Sequence, residues 1–231
     1  LQHYVVLCQK IVAIGQYCQD VFLKYCPGLV INRYKKETTM TAMHYDTIII
    51  GAGLSGIGTA CHIAGEHPQK SLAILERREK MGGTWDLFRY PGIRSDSDMA
   101  SFGFNFKPWY ADKVLAEGDS IREYVAETAR EFNLEDKVQY GLAIASADWS
   151  EARQCWTITA LHEASGEQKT FTCSFLVNCA GYYNFDQGYR PHFEGEESFR
   201  GNIVHPQFWP ENFDYTGKKV VVIGSGATAI T

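Results

Sequence analysis

Two glycine-rich turns hold the residues of this chain best suited to grip a ligand: Gly51-Ala52-Gly53-Leu54-Ser55-Gly56 and Gly224-Ser225-Gly226-Ala227-Thr228-Ala229. In each, small residues let the backbone approach a pyrophosphate. The N–H groups and partial positive charge of a following helix can then take up the phosphate charge. Between the two turns lies Phe199-Arg200-Gly201-Asn202-Ile203-Val204-His205-Pro206-Gln207-Phe208-Trp209-Pro210, which reads F-x-G-x-x-x-H-x-x-x-W-P. The pattern predicts two bound dinucleotides with an imidazole and an indole in the segment that separates them.

The first turn has the context that gives such a motif meaning. Tyr45–Ile50 is a β-branched run of the kind buried in a parallel sheet, and the glycines follow at once. Residues 57–64 read as a helix ending near Gly65, and Ser71–Glu76 as a second strand closing on an acidic residue. In this β-turn-α-β unit Gly51 permits the bend, Gly53 the approach of a pyrophosphate, and Gly56 the close packing of helix on strand. Glu76 stands where a carboxylate hydrogen-bonds a ribose 2′-hydroxyl.

Residues 77–99 are rich in Gly, Pro, Asp and Arg and read as an extended functional loop. Gly82 and Gly83 allow backbone to approach a flat ring, with Thr84 next and Trp85 and Tyr90 able to pack along that ring. Arg94 and Asp96 bring charge to the same loop. The loop contains no cysteine, which excludes thiol–disulfide chemistry there.

Further along, residues 119–132 form a helical pattern with Ile121, Tyr124, Val125, Thr128 and Phe132 on one face. Strands are expected at 138–147, 155–161 and 169–175, the last two as an antiparallel hairpin turning at Gly166. Phe175–Gly181 reads as another buried parallel strand. Lys218–Ile223 reads as the opening strand of a second nucleotide unit that runs into Gly224 and Gly226.

The composition sets bounds. Net charge is −5, without a basic stretch that would suit nucleic acid. The seven cysteines form no C-x-x-C pair and are odd in number, a pattern of reduced thiols that points to the cytoplasm rather than to disulfides or zinc. His205 has no second ligand at metal spacing, so no metal site is expected. Residues 1–42 form an extension: Leu7, Ile11, Ile14, Cys18, Val21 and Tyr25 recur at helical spacing up to Pro27-Gly28. Charged residues interrupt that segment before it reaches the ~20 apolar residues of a membrane span.

Taken together, G-A-G-L-S-G, G-G-T-W, Y-P-G-I-R-S-D and the F-x-G-x-x-x-H-x-x-x-W-P segment resemble the type I Baeyer–Villiger flavoprotein monooxygenases, closest to the ethionamide-activating branch. The resemblance covers about four-fifths of the chain, from Tyr45 to Thr231, and under half of a typical family member. It implies an α/β fold: a Rossmann-like FAD-binding domain, its parallel sheet carrying an antiparallel hairpin, over 43–185. A linker over 186–214 and the truncated start of a Rossmann-like NADPH domain over 215–231 follow.

On this resemblance FAD lies on the first turn, held by Gly51, Gly53, Gly56, Glu76, Gly83, Thr84, Trp85 and Asp96. NADPH lies on Gly224 and Gly226. The family inserts one oxygen atom of O2 into ketones, or adds it to thioethers, thioamides or amines, through a C4a-peroxyflavin. Asp96 matches the aspartate that orients a catalytic arginine, and that arginine has no counterpart in these 231 residues. Phe199, Gly201, His205 and Trp209 are implied to couple domains rather than make bonds. Tyr or Phe at the position of Trp209 is usual in the related N- and S-oxygenating enzymes, so the indole favours Baeyer–Villiger chemistry. A fragment that holds flavin without turnover is the remaining reading.

Overall fold

The computed structural model describes residues 42–230. The expected amphipathic helix near the N-terminus, with Cys8, Cys18 and Cys26, lies outside the described residues. Two compact units divide the chain. One ends at Gly83 and resumes over Val125–Tyr182; the other comprises Thr84–Tyr124 and the residues from Tyr183 onward. Among the described residues no helix is long and apolar enough to cross a membrane.

The first unit is a six-stranded mixed sheet. Its strands are β1 (Met43–Ile50), β2 (Leu72–Leu75), β3 (Val138–Gln139), β4 (Leu142–Ser150), β5 (Cys155–His162) and β6 (Gln168–Asn178), in the spatial order β3-β2-β1-β6-β5-β4. The first four in that order run parallel, and β6, β5 and β4 form an antiparallel meander. Helix α1 (Leu54–Glu66) joins β1 to β2. β1 is paired on both sides, with β2 and with β6, which is why Thr47–Ile50 is a continuous apolar run buried throughout. Ile48, Leu75, Ile158, Phe171 and Cys173 belong to one core on this sheet. Burial pushes the Cys173 thiol up to about 12, which makes it a packing group.

Two strand expectations change. The segment 138–147 is not one strand: β3 pairs parallel with β2, then Gly141 at φ 70° turns the chain into β4, which pairs antiparallel with β5. Conversely, 169–175 and 175–181 are a single strand. β6 is antiparallel to β5 over 168–173 and parallel to β1 over 171–178. No turn residue interrupts Thr172–Val177, so nothing in the sequence breaks the strand there. Its parallel part is only partly buried, with Phe175 62% exposed.

The second unit contains α2 (Thr84–Leu87), α3 (Met99–Phe102), the start of α4 (Gly118–Glu131) and α5 (Ala227–Ile230), with irregular backbone between. Met99, Ala116 and Ile121 form its small core, against which Trp85, Phe102 and Trp109 pack. Ile121, Tyr124, Val125 and Thr128 of α4 are all buried, the face that the spacing defines. Lys218–Ile223, by contrast, forms no strand, and Val220–Ile223 are 61–82% exposed. β-branched residues form a strand only when neighbours supply the ladder, and no other strand lies in this unit among the described residues.

Candidate nucleotide site and signature segment

The glycine turn is clamped at the carboxyl end of the parallel strands. The Gly51 N–H donates to the Leu75 carbonyl at 2.8 Å, and the Cys179 N–H donates to that of Ile50 at 2.8 Å. Gly51 has φ 96°, and a Cβ there would stand 2.6 Å from the Cys179 carbonyl oxygen. A Cβ on Gly56 would lie 1.9 Å from the Gly51 carbonyl oxygen, so the third glycine lets the helix close onto the turn itself as well as onto Ile49. Gly53 and Gly83 face each other, and the Gly82 N–H donates to the Ala52 carbonyl at 2.9 Å. The two glycine loops of this unit are therefore hydrogen-bonded together.

The start of α1 is built for an anion. Gly53 caps it without any side-chain acceptor, and its first turn holds no acidic residue, so the first N–H groups and the positive helix end are not neutralised from within. Glu76, 4% exposed at the end of β2, accepts the Ala52 N–H through Oε2 at 2.7 Å and the Arg78 N–H through Oε1 at 2.8 Å. Burial pushes its carboxyl above the ordinary carboxylate range, against the pull of these two amides. Each oxygen keeps a further lone pair for a ribose hydroxyl. The turn thus fits the adenosine diphosphate part of a dinucleotide.

The loop 84–99 is more ordered than its composition suggests. Trp85 sits edge-on to Phe102 at 5.8 Å, half-buried, and Thr84 is exposed at the start of α2. Asp86, Leu87, Phe88 and Ser95 are buried. The Asp86 carboxylate, 4% exposed, pairs with Arg89 and lies 3.9 Å from Arg122, while Asp119 sits 3.3 Å from Arg89 and 3.2 Å from Arg122. This four-member charge cluster was not singled out by sequence reasoning. An aspartate inside the apolar run T-W-D-L-F with an arginine three residues on was the available signal. Arg94 and Asp96 both remain exposed, and the Asp96 carboxylate accepts from the Ser97 hydroxyl at 3.5 Å.

The signature segment begins with a ring seated on a glycine and ends with an indole among other rings. The Phe199 ring covers Gly201, where a Cβ would lie 2.5 Å from its Cζ, which accounts for the F-x-G spacing. His205 caps a 3-10 turn over Pro206–Phe208, its Nδ1 accepting the Gln207 N–H at 3.2 Å. Trp209 meets Phe213 and Tyr215 edge-on at 5.8 and 6.0 Å. Gln207, 7% exposed, donates from Nε2 to the Asn184 carbonyl at 2.6 Å, a residue that sequence reasoning missed. Gly224 and Gly226 lead into α5 in an exposed segment, the Ala229 N–H donating to the Gly226 carbonyl at 2.9 Å. The second glycine turn thus has its helix but no strand behind it.

A turn closed against parallel strands, an uncapped helix and a glycine-paired loop are the parts of a dinucleotide-binding α/β unit, and the family comparison gives the class. The profile described as flavin-binding monooxygenase-like matches residues 45–231, and the chain belongs to that family. It is 62% identical over 189 residues to MymA of Mycobacterium tuberculosis, covering 81% of this chain and 38% of the relative. To the FAD-containing monooxygenase EthA of Mycolicibacterium smegmatis it is 57% identical over 188 residues, with the same coverage. Among solved structures, an oxidized steroid monooxygenase bound to NADP matches with a TM-score of 0.69 at 29% identity, over 81% of this chain and 36% of that one. A cyclohexanone monooxygenase from Rhodococcus sp. Phi1 bound to NADP+ matches with 0.68 at 26% identity, over 82% and 35%. The chain thus spans well under half the length of its relatives.

Proposed function

We propose that the protein to which these residues belong is an FAD-dependent, NADPH-using monooxygenase that inserts one oxygen atom from O2 into a ketone. The observation that carries the reading is the F-x-G-x-x-x-H-x-x-x-W-P segment ending in Trp209, present together with a turn that fits the adenosine diphosphate part of a dinucleotide. Gly51, Gly53, Gly56 and Glu76 would hold the adenosine diphosphate, and Gly83, Thr84, Trp85 and Asp96 the region nearer the flavin. Gly224 and Gly226 would hold NADPH once a strand forms behind them. When bound, the flavin supplies hydride acceptance and oxygen activation. The chain's own residues bind the phosphates, bury the ribose partner and exclude water. The overall change is ketone + O2 + NADPH + H+ to ester + H2O + NADP+. The boundaries that go with it are a flavin domain over 43–185, a linker over 186–214 and a nicotinamide domain from 215. A reducing cytoplasm suits the thiols of Cys61, Cys155, Cys173 and Cys179, none of which is in a disulfide.

The test is turnover of the intact protein with NADPH and 18O2 on a cyclic ketone and, separately, on a thioether. One labelled oxygen in the lactone is the expected result. Sulfoxide without lactone would replace the reading with S-oxygenation, and flavin binding without NADPH oxidation would replace it with a non-catalytic flavoprotein. The 231 residues alone are expected to be inactive, because the second turn, on which NADPH would lie, has no strand behind it among the described residues.

A further inference from the structure

We infer that Gly188 and Asn184, outside the signature pattern, form the seat that fixes the imidazole of His205, and that they act through it as positioning residues for oxygen transfer. The functional half of this rests on the reading above. A Cβ on Gly188 would stand 2.3 Å from His205 Cε1, 2.6 Å from Nδ1 and 2.7 Å from Nε2, so the ring lies flat over the Gly188 backbone. Only glycine leaves that space. One edge of the ring is fixed as well, because Nδ1 accepts the Gln207 N–H at 3.2 Å. In a neutral imidazole this places the proton on Nε2.

Gln207 is held in turn. Its side-chain amide donates to the Asn184 carbonyl at 2.6 Å, and it is 7% exposed. Asn184 shapes its own loop: its Oδ1 accepts both the Asp186 N–H at 2.9 Å and the Gln187 N–H at 3.3 Å. The loop 184–188 therefore presents a carbonyl to Gln207 and a bare Cα to His205, both within the second unit. Face and edge together define the direction of the Nε2–H donor. A methyl group on Gly188 pushes the ring off its seat and so away from the Gln207 N–H.

The experiment uses the intact protein and the variants Gly188→Ala, His205→Ala and their combination. The first readout is product formed per NADPH consumed; the uncoupled reaction is NADPH + H+ + O2 to NADP+ + H2O2. Gly188→Ala is expected to lower this ratio by about tenfold with FAD retained, His205→Ala by a similar factor, and the double variant no further. An unchanged ratio in Gly188→Ala, or losses that multiply in the double variant, overturns the role. Should Gly188→Ala not fold, Gln207→Leu, which removes the donor to Asn184, carries the same test. The second readout is the 15N spectrum of labelled histidine. His205 is expected as the Nε2–H tautomer, shifted in Gly188→Ala, and an Nδ1–H signal in the parent protein overturns the seat. If the parent protein oxygenates nothing, the reading above falls and the positioning role with it, whereas the tautomer still decides the seat.

Discussion

The chain writes nearly the same local sentence twice, and only one copy folds into a strand. Thr47–Ile50 and Val220–Ile223 are both short apolar β-type runs that open onto G-x-G. The first is paired on both sides and buried, Ile48 and Ile49 at 0%; the second is unpaired and 61–82% exposed. The difference teaches that a nucleotide turn is a property of the sheet behind it. Gly51 is held by the carbonyl of Leu75 from one neighbouring strand and backed by Cys179 from the other, whereas Gly224 meets only Ala229 of its own helix.

The sharpest way to break the comparison is to add the same methyl group to each turn. Gly56→Ala places a Cβ 1.9 Å from a backbone oxygen and is expected to cost about 3 kcal/mol or more and to abolish FAD binding by the intact protein. Gly226→Ala meets nothing within 4 Å and is expected to leave stability unchanged in this chain. Urea unfolding and flavin titration read both. Next in size, Ile48→Ala is expected to cost about 3 kcal/mol and Val221→Ala under about 0.5 kcal/mol. Amide exchange should show the same contrast, with protection at 47–50 and none at 220–223.

A smaller effect isolates the carboxylate that backs the first turn. Glu76→Gln puts an amide N–H against one of two backbone N–H groups and is expected to cost about 2 kcal/mol at neutral pH. Because burial raises the folded pKa of Glu76, the native state binds its proton more readily than the unfolded chain above the ordinary 4.5. That contribution to stability grows as pH falls through this window and is lost as pH rises through the folded pKa, a slope that the Gln variant should not show. The smallest effect is at Asp46, partly exposed, whose carboxyl is held low first by Lys70 and then by the Ser71 hydroxyl and amide. Asp46→Asn should lower the thermal midpoint slightly at neutral pH. The difference should begin to shrink as pH falls below the ordinary 3.8 and be lost only as pH passes through the much lower folded value.

The β-turn-α-β unit was legible because its evidence is local: the run before Gly51, the helix after it and Glu76 at the end of β2 all read directly from spacing. α4 was legible for the same reason. The single strand β6 was not, since its two halves differ only in which neighbour each one meets, and pairing is a non-local fact. Lys218–Ile223 misled for the converse reason: its propensity is real and its partners are not in the unit. In the site, glycines and Glu76 were legible by residue type. The Asp86 cluster and the seat of Gln207 on Asn184 were not, because Arg122 and Asn184 come from distant positions that no motif links.

The pairing of β6 with β1 has a consequence for how the protein is made. Partners on these strands, such as His44 and Thr172, are 128 residues apart. A ribosome adding about 5–20 residues per second needs roughly 6–25 seconds to travel that distance. Through that interval β1 lacks its β6 partner, though β2 is already made, and the carbonyl of Cys179 that backs Gly51 does not yet exist. The nucleotide turn thus leaves the ribosome well before it can acquire its shape, so a nascent chain presents the apolar edge of Ile48–Ile50 for chaperones before it can present a binding site to a cofactor.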